Sequence, residues 1–457
     1  MSSLISQPRF SCAIAAQQTV LAIPGGIPIV HAGPGCSSKQ YYFAVTQSGY
    51  QGEGYAGGIH VSCTNSSEKE VVFGGEKKLA SLIEGTLKVI KGDLYVAMSG
   101  CTAGIIGDNT AEVAGTFAEK GKPVVGVDCA GFRGNSYFGH EVVVNGIIDQ
   151  YVDSFYQEEA PQVQKGLVNV FASVPFQDTF WRGDLEEIKS LLEKLGLKVN
   201  ILFGYSSEGV SEWKNIPCAE LNIFLGAWCG KKVVGHLKSK YGTPYLNFPF
   251  LPVGAKSTSQ FLRSVGESLN LDSENVEKII KKEEDRFYNY LVSFADFVAE
   301  YKGALPYELY VVGDSLYSLG VTDFLVNELG YIPKGVYLDD DPPKSAENGI
   351  KTEFKKIVSD FPEYENALVF QADGELIVKD IDEKVGNSKK ALILGSYWEN
   401  QLARKKNEFF VSLSMPVMNE IVTNGSYAGY SGGLYLLEKI YANTFRKARS
   451  AQNNSGN

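Results

Sequence analysis

The chain has 457 residues, of which 44% are hydrophobic, 12% aromatic and 21% charged, which is ordinary for a globular protein. Its 43 basic and 53 acidic side chains give a formal net charge of −10. Because no dense lysine or arginine stripe is present to neutralise phosphates, DNA and RNA are poor candidates for the main partner. The apolar stretches are too short for a membrane span and no signal peptide is recognisable, so we expect a soluble, cytoplasmic protein.

Short β-branched runs that end in glycine-containing loops alternate with amphipathic, helix-length segments along the chain. This alternation is typical of parallel sheets flanked by helices, so the sequence predicts an α/β protein. Strands are predicted at 27–30, 94–98, 124–127, 168–172, 199–203, 221–225, 245–248, 309–312, 335–338, 368–371, 391–394 and 409–413. Helices are predicted at 76–90, 111–120, 185–195, 231–240 and 433–446, and the charged stretch 273–302 is predicted to form one long connecting helix. The elements fall into three successive units, at 1–160, 161–302 and 303–457.

Several common catalytic patterns are missing or incomplete. The chain lacks the G-x-x-x-x-G-K-[ST] loop that binds ATP phosphates, so any ATP must be used by a partner. The four histidines show no metal-ligand spacing, which gives no support for a zinc enzyme. One G-x-S-x-G string occurs at 429–433, but no histidine follows it, and we interpret it as a glycine-rich loop.

Cysteine placement is the most informative feature of the sequence. The seven cysteines are an odd number, which argues against a complete set of intrachain disulfides. Cys36 and Cys101 each follow a predicted buried strand, within HAGPGC and SGCTAG, and so should lie at the edge where α/β sheets bind ligands. The neighbouring glycines allow close approach of the main chain and offer N–H donors to sulfur, which suits an iron–sulfur cluster. Cys12, before the first strand, can complete a trio.

Three thiolates make an incomplete site, because iron–sulfur clusters are generally held by four, and another subunit would have to supply the rest. The alternative is that these cysteines only fill the core, since free cysteine is among the most buried residue types. None of the seven forms C-x-x-C, the strong local metal signal, so spacing alone does not decide between the two explanations.

Three sequence blocks occur in a fixed order in the first quarter of the chain. They are SCA at 11–13 leading to VHAGPGC at 30–36, VSC at 61–63 followed by Glu68 and VFGG at 72–75, and SGCTAGIIGD at 99–108. In these blocks, and along nearly its whole length, the chain resembles component 1 of nitrogenase and its relatives. That family includes nitrogenase-like reductases and cofactor-scaffold proteins.

The resemblance implies three Rossmann-like domains and a pseudo-twofold pair of α-type and β-type subunits. It also implies an iron–sulfur cluster at the subunit interface, of the 8Fe-7S or the 4Fe-4S type, with Cys12, Cys36 and Cys101 as the ligands from this chain. The expected partners are an α-type subunit, in an α2β2 heterotetramer, and an ATP-dependent iron protein. Cys63, Cys129 and Cys218 are interpreted as structural, and His31 and His140 as hydrogen-bonded residues near the cluster loops.

The subunit type depends on two opposing observations. The block GFRGNS at 131–136, with GH at 139–140, is similar to an α-type block. However, an α-type chain holds its active-site cofactor with one cysteine and one C-terminal histidine, and no histidine follows His236. Cys229 lies roughly where that cysteine would fall, but out of register, so we favour the β-type. Asn135 stands where β-type chains carry a serine that can join the oxidised cluster, so this chain departs from the family pattern at that position.

The resulting hypothesis is a β-type subunit of a nitrogenase-like reductase. It would relay electrons from an ATP-dependent iron protein, through the interface cluster, to a cofactor in the partner subunit. The alternatives are a scaffold for cofactor assembly and a non-catalytic structural partner of an α-type subunit. The sequence identifies neither the substrate nor any catalytic residue.

Overall fold

The computed structural model describes residues 6, 9–42, 46–51, 61–386, 388 and 390–454. Within these ranges, thirteen strands form three sheets, and every pair of neighbouring strands runs parallel. Helices connect the strands, as parallel pairing requires. The prediction of an α/β protein with parallel sheets flanked by helices is therefore confirmed.

The first sheet has the strand order β2-β1-β3-β4. Its strands are β1 (Gly26–His31), β2 (Ser62–Cys63), β3 (Leu94–Ser99) and β4 (Val124–Asp128). The helices of this unit are α1 (Gln17–Leu21), α2 (Pro34–Tyr42), α3 (Glu68–Phe73), α4 (Glu76–Val89), α5 (Cys101–Ile106), α6 (Thr110–Ala118) and α7 (Ser136–Ile147). All six residues of β3 are buried, as expected for a central strand covered on both faces. Strand β2, only two residues long, was not predicted.

The second sheet has the order β6-β5-β7-β8. Its strands are β5 (Gln164–Phe171), β6 (Lys198–Asn200), β7 (Ala219–Leu225) and β8 (Tyr245–Phe248). The helices are α8 (Trp181–Lys194), α9 (Val210–Asn215), α10 (Lys231–Tyr241), α11 (Gly254–Ser268), α12 (Ser273–Ser293) and α13 (Ala295–Tyr301). The predicted single connecting helix is thus two helices, divided at Phe294, whose ring packs on Phe297 and Tyr441.

The third sheet has five strands in the order β11-β10-β9-β12-β13. They are β9 (Glu308–Gly313), β10 (Ile332–Leu338), β11 (Leu368–Phe370), β12 (Ala391–Gly395) and β13 (Phe409–Ser412). The helices are α14 (Ser315–Asn327), α15 (Lys344–Ile357), α16 (Gly374–Val385), α17 (Tyr397–Lys406) and α18 (Gly429–Asn454). The G-x-S-x-G string, predicted as a loop, is the first turn of α18. Position 432 requires glycine, because a Cβ there would clash with the Tyr427 carbonyl carbon at 2.2 Å.

The three units share one apolar core, although their sheets are separate. A buried ion pair joins Arg9, before the first sheet, to Glu399 of α17 in the third unit. The C-terminal helix α18 packs against α8, α11 and α12 of the second unit. The strands of each sheet fall within the predicted units 1–160, 161–302 and 303–457, whose exact bounds stay a prediction. None of the described helices is both long and apolar enough to cross a bilayer.

Candidate functional site

Cys12, Cys36 and Cys101 are placed by three different elements at the carboxyl edge of the first sheet. Cys36 is in the first turn of α2, shortly after β1, and Cys101 is the first residue of α5, after β3. Cys12 precedes a short 3-10 turn, Ala13–Ala16, and its backbone pairs with that of Asn135 at the start of α7. Cys36 and Cys101 therefore lie, as expected, at the carboxyl ends of parallel strands.

Gly131 brings Cys12 and Cys101 together. Its N–H donates to the Cys101 sulfur at 3.2 Å. A Cβ at position 131 would lie 3.2 Å from the Cys101 Sγ, 3.4 Å from the Cys12 Sγ and 3.1 Å from the Cys12 Cβ. Both thiols thus contact the same stretch of main chain, and a side chain there would occupy the space between them.

The loop that carries Gly131 is fixed by the carboxylate of Asp128, at the end of β4. Its Oδ1 accepts hydrogen bonds from the Ser99 hydroxyl at 2.6 Å and from the Ala130 N–H at 3.2 Å. Its Oδ2 forms an ion pair of 2.7 Å with Arg133. Because Ser99 ends β3, two residues before Cys101, this carboxylate holds the Gly131 loop against the Cys101 helix.

Cys36 belongs to the same group of thiols. Its N–H donates to the Gly33 carbonyl at 3.2 Å, and the Gln17 side chain donates to the Cys36 carbonyl at the same distance. Burial, together with the charges of the Cys12 and Cys101 thiolates, raises the pKa of Cys36. Among the described residues, no atom lies within 4 Å of a Cβ added at Gly35, so the main chain next to Cys36 is open on this side.

The donor set fits an iron–sulfur cluster better than a single metal ion. Among the described residues, no three Cys, His, Asp or Glu side chains are arranged to hold one ion. A cluster spreads its ligands over several iron atoms and is tuned by N–H donors to sulfur, as Gly131 supplies to Cys101. The three thiols, with the N–H donor of Gly131 beside them, are therefore a donor set that suits a cluster.

A buried network connects the three sequence blocks behind the cysteines. His31 bonds through Nδ1 to the Thr64 hydroxyl at 3.1 Å and through Nε2 to Asp108 at 2.8 Å. Asp108 also accepts the Gly75 N–H at 3.0 Å. His31 is thus a hydrogen-bonded residue, as expected. Sequence reasoning did not assign roles to Asp108, Asp128 or Gly131. Asp108 lies in the sequence block of Cys101, and Asp128 and Gly131 lie at and just after the end of β4, and these positions could have indicated them.

Both polar atoms of the Asn135 side-chain amide form hydrogen bonds within the chain. Its Oδ1 accepts the Phe138 N–H at 3.0 Å and so caps α7. Its Nδ2 donates to the Asp340 carbonyl at 3.1 Å. The side chain therefore ties the start of α7 to the third unit.

The other four cysteines are not members of this trio. Cys63, in β2, donates to the Ala32 carbonyl at 3.5 Å and is half-buried. Cys129 and Cys218 are buried, and burial raises the pKa of Cys129. Cys229 lies elsewhere, with its sulfur 3.9 Å from the Tyr137 carbonyl.

The remaining histidines show no ligand cluster. His140 is buried and bonds to Thr19 at 3.0 Å, and burial lowers its pKa to about 4. His236 pairs with Asp149 at 2.7 Å near the surface. His60 lies outside the described residues.

Large apolar side chains are exposed around the cysteines. Phe132 follows Gly131 directly and is 60% exposed, and Ile105 of α5 is 74% exposed. Val72 and Phe73, on the adjacent helix α3, are 70% and 82% exposed. Apolar groups gathered in this way mark an interaction surface.

A profile of the nitrogenase component 1 type oxidoreductases matches residues 11–445. The chain belongs to this family. The resemblance seen in the sequence blocks is thereby confirmed.

Curated relatives include alpha chains and a cofactor-assembly protein. The nitrogenase molybdenum-iron protein alpha chain of Azospirillum brasilense is 29% identical over 293 residues, which are 59% of this chain and 56% of that one. The alpha chain of Crocosphaera subtropica is 32% identical over 228 residues, 48% of this chain and 44% of that one. NifE of Methanococcus maripaludis, a nitrogenase iron-molybdenum cofactor biosynthesis protein, is 27% identical over 296 residues, 64% of this chain and 57% of that one. The chain spans about half the length of these relatives.

Solved structures show the same fold over nearly the full chain. Nitrogenase Cp1 at pH 6.5 gives a TM-score of 0.78 with 18% identity, covering 98% of this chain and 95% of that chain. Nitrogenase Cp1 at pH 5 gives a TM-score of 0.69 with 20% identity, covering 97% and 90%. At these levels of sequence identity, the likeness shows that the fold is shared and shows no more than that.

Proposed function

We propose that this chain is the β-type subunit of a nitrogenase-like reductase. It would relay electrons from an ATP-dependent iron protein, through an iron–sulfur cluster shared at the subunit interface, to a cofactor held by an α-type partner. The observation that carries this proposal is the trio Cys12, Cys36 and Cys101, gathered at one sheet edge with an open side at Gly35. A site of three thiols with an open side suits completion by a second subunit.

The β-type assignment depends on cofactor ligands rather than on overall similarity, since the relatives above are alpha chains and NifE. No histidine follows His236 in the sequence. Burial, and then the Glu141 carboxylate, raise the pKa of Cys229 well above its ordinary value. Its sulfur lies 3.9 Å from the Tyr137 carbonyl, to which a neutral thiol can donate. These residues favour a chain that serves a cofactor bound elsewhere.

The residues of the site have separable tasks in this function. The bound cluster would supply one-electron transfer, and the three cysteines would hold it. Gly131 leaves room between two of the thiols and donates its N–H to the Cys101 sulfur, which stabilises negative charge there. Asp128 and Asn135 hold the loop and the helix that present the glycine and Cys12. The exposed Phe132 and Ile105 would be covered by a partner, which would keep water from the cluster.

An ATP-hydrolysing partner follows from what the sequence lacks, since no phosphate-binding loop is present.

Within the family, the alternative function is a scaffold on which a cofactor is assembled, and the likeness to NifE favours it as the second candidate. A purely structural subunit would need no cluster ligands. The reductase and the scaffold differ in one respect: only a scaffold passes its cofactor from the complex to another protein.

Anaerobic co-purification with the α-type partner tests the proposal. We expect iron and sulfide to be retained by the complex, an EPR signal from the cluster, and its oxidation and reduction by the iron protein only when ATP is present. The chain purified alone in air should contain little iron, because half a cluster site exposes its thiolates to oxidation. Stoichiometric, air-stable iron in the isolated chain would refute a shared cluster. Transfer of a metal cofactor from the complex to another protein would favour the scaffold.

A further inference from the structure

Two adjacent, buried glutamines begin helix α1, shortly after Cys12. Gln17 and Gln18 are each 1% exposed. Glutamine is mostly a surface residue, and burial of a side-chain amide is costly unless the amide is hydrogen-bonded. The bonds that these two amides form therefore explain why they are buried here.

Both amides donate to main-chain carbonyls of α2, the helix that carries Cys36. The Gln17 Nε2 donates to the Cys36 carbonyl at 3.2 Å and to the carbonyl of Ile14, in the turn before α1, at 3.1 Å. The Gln18 Nε2 donates to the Gln40 carbonyl at 3.0 Å. Because Cys36 and Gln40 are four residues apart, both bonds act on the same side of α2. Gln17 and Gln18 thus form a clamp between α2 and the turn before α1.

Helix α2 buries few of its own side chains. Among those that the structure describes, Gln40 is buried, Cys36 and Ser37 are half-buried, and the others are exposed. Helices in proteins are stabilised mainly by packing of an apolar face, and a helix of nine residues is marginal by itself. The position of Cys36 therefore depends strongly on the hydrogen bonds from the clamp.

A third glutamine connects the clamp to the second unit. The Gln177 Nε2 donates to the Gln18 Oε1 at 2.5 Å. Gln177 lies between β5 and α8 and is 5% exposed. Both polar atoms of the Gln18 amide are therefore used, one toward α2 and one toward the second unit. This fixes the rotamer of Gln18 and the direction of its bond to α2.

We propose that Gln17 and Gln18 are positioning residues for the iron–sulfur cluster, which hold Cys36 at the distance from Cys12 that the cluster needs. This inference rests on the proposed function, in which both cysteines are ligands. Neutral amides suit the task, because they orient α2 without placing a further charge beside the thiolates. Replacing residues that orient metal ligands changes metal affinity by about 10–100-fold.

Gln17→Met and Gln18→Met test this role, because methionine has a similar length and no N–H donor. In the anaerobic complex with the α-type partner, each variant should release iron to a chelator about tenfold faster than the unaltered complex. Each should also change the EPR spectrum of the cluster and its midpoint potential. Gln150→Met is the matched control. That amide bonds the main-chain N–H and carbonyl of Gly126 at 2.9 and 2.8 Å, and its loss should leave the cluster unchanged.

Hydrogen exchange of the iron-free chain measures the clamp without a cluster. Segment 34–42 should exchange about fivefold faster or more in Gln17→Met and Gln18→Met, because each variant loses a bond that holds α2. Circular dichroism checks that the variants are folded. Gln177→Met, which leaves both bonds to α2 in place and frees only the Gln18 Oε1, should show smaller changes of the same kind and serves if the other variants do not fold.

The outcomes separate this inference from the proposed function. Unchanged iron release, EPR spectrum and potential in the folded variants would overturn the inference even if segment 34–42 exchanged faster, because the glutamines would then stabilise only the fold. Equal changes of the cluster in Gln150→Met would also overturn it. Absence of iron from the unaltered complex would refute the proposed function, and this inference with it.

Discussion

The His31 Nε2 and the Asp108 Oδ2 are joined by a hydrogen bond of 2.8 Å, although 77 residues separate them in the sequence. His31 ends β1 and is fully buried, and Asp108 follows α5. The same carboxylate accepts the Gly75 N–H, which precedes α4. One buried acid thus connects the three sequence blocks on which the family resemblance depends.

Asp108→Asn should therefore destabilise the chain. The amide can replace only one of the two acceptor oxygens, which leaves a buried donor unsatisfied at a cost of about 1–3 kcal/mol. Urea unfolding of the isolated chain measures this loss. Glu119→Gln, at an exposed position of the same unit, is the matched control and should change the unfolding free energy little. Equal effects of the two substitutions would contradict the assigned role of Asp108.

Variants with one cysteine replaced should fall into two groups that differ in the iron content of the complex. Replacing Cys12, Cys36 or Cys101 by Ala should remove iron and weaken the pairing with the α-type subunit, because metal binding here contributes to assembly. The same change at Cys63, Cys129 or Cys218 should cost on the order of 1 kcal/mol of stability and leave iron unchanged. Iron analysis and gel filtration of the anaerobic complex check both. Equal iron loss in the two groups would show that the trio is not the site.

Gly131→Ala should impair cluster binding while leaving the fold in place. The new methyl group would lie 3.2 Å from the Cys101 sulfur and 3.4 Å from the Cys12 sulfur, in space that a cluster needs. The variant should show a normal circular dichroism spectrum and a reduced iron content. Gly85→Ala is the control: among the described residues, no atom outside the neighbouring backbone of its own helix lies within 4 Å of the added Cβ. In the middle of helix α4, that change should raise stability by about 0.5–1 kcal/mol and preserve iron.

The proposed electron relay makes turnover depend on a separate ATP-hydrolysing protein, and this chain has no phosphate-binding loop of its own that could replace that protein. Reduction of the interface cluster, followed by EPR, should need both the iron protein and ATP. Activity of the complex with NADH as the only reductant, and no second component, would contradict this requirement.

His140 should make stability depend on pH. Burial lowers its pKa from 6.5 to about 4, so between these values the unfolded chain binds more protons than the folded one. Its contribution to stability is complete above 6.5 and is lost as pH falls toward 4, by up to about 1.4 kcal/mol per unit. The difference in unfolding free energy between the unaltered chain and His140→Gln should therefore shrink as pH is lowered. An unchanged difference between the two proteins from pH 6.5 down to 4 would contradict this prediction.

Most of the regular structure was predictable because buried parallel strands are short apolar runs that can be recognised locally. Strand β8 has its predicted bounds, and β1, β3 and β4 differ by a residue or two. The long helix after 273 was harder, because its division at Phe294 depends on contacts with Tyr441, distant in sequence. Strand β2 was missed because a pair of residues carries no periodicity.

The sequence alone determined the fold class, the family and the identity of the three candidate cysteines, because apolar runs and local motifs are enough to recognise all of these. The tertiary structure decided which groups meet. Gly131 lies between Cys12 and Cys101 because the Asp128 carboxylate fixes its loop to β3, a contact that no local pattern encodes. Asn135 and Asp340 meet in the same way, through a hydrogen bond of 3.1 Å from the Asn135 Nδ2 to the Asp340 carbonyl, because the first and third units pack on one core.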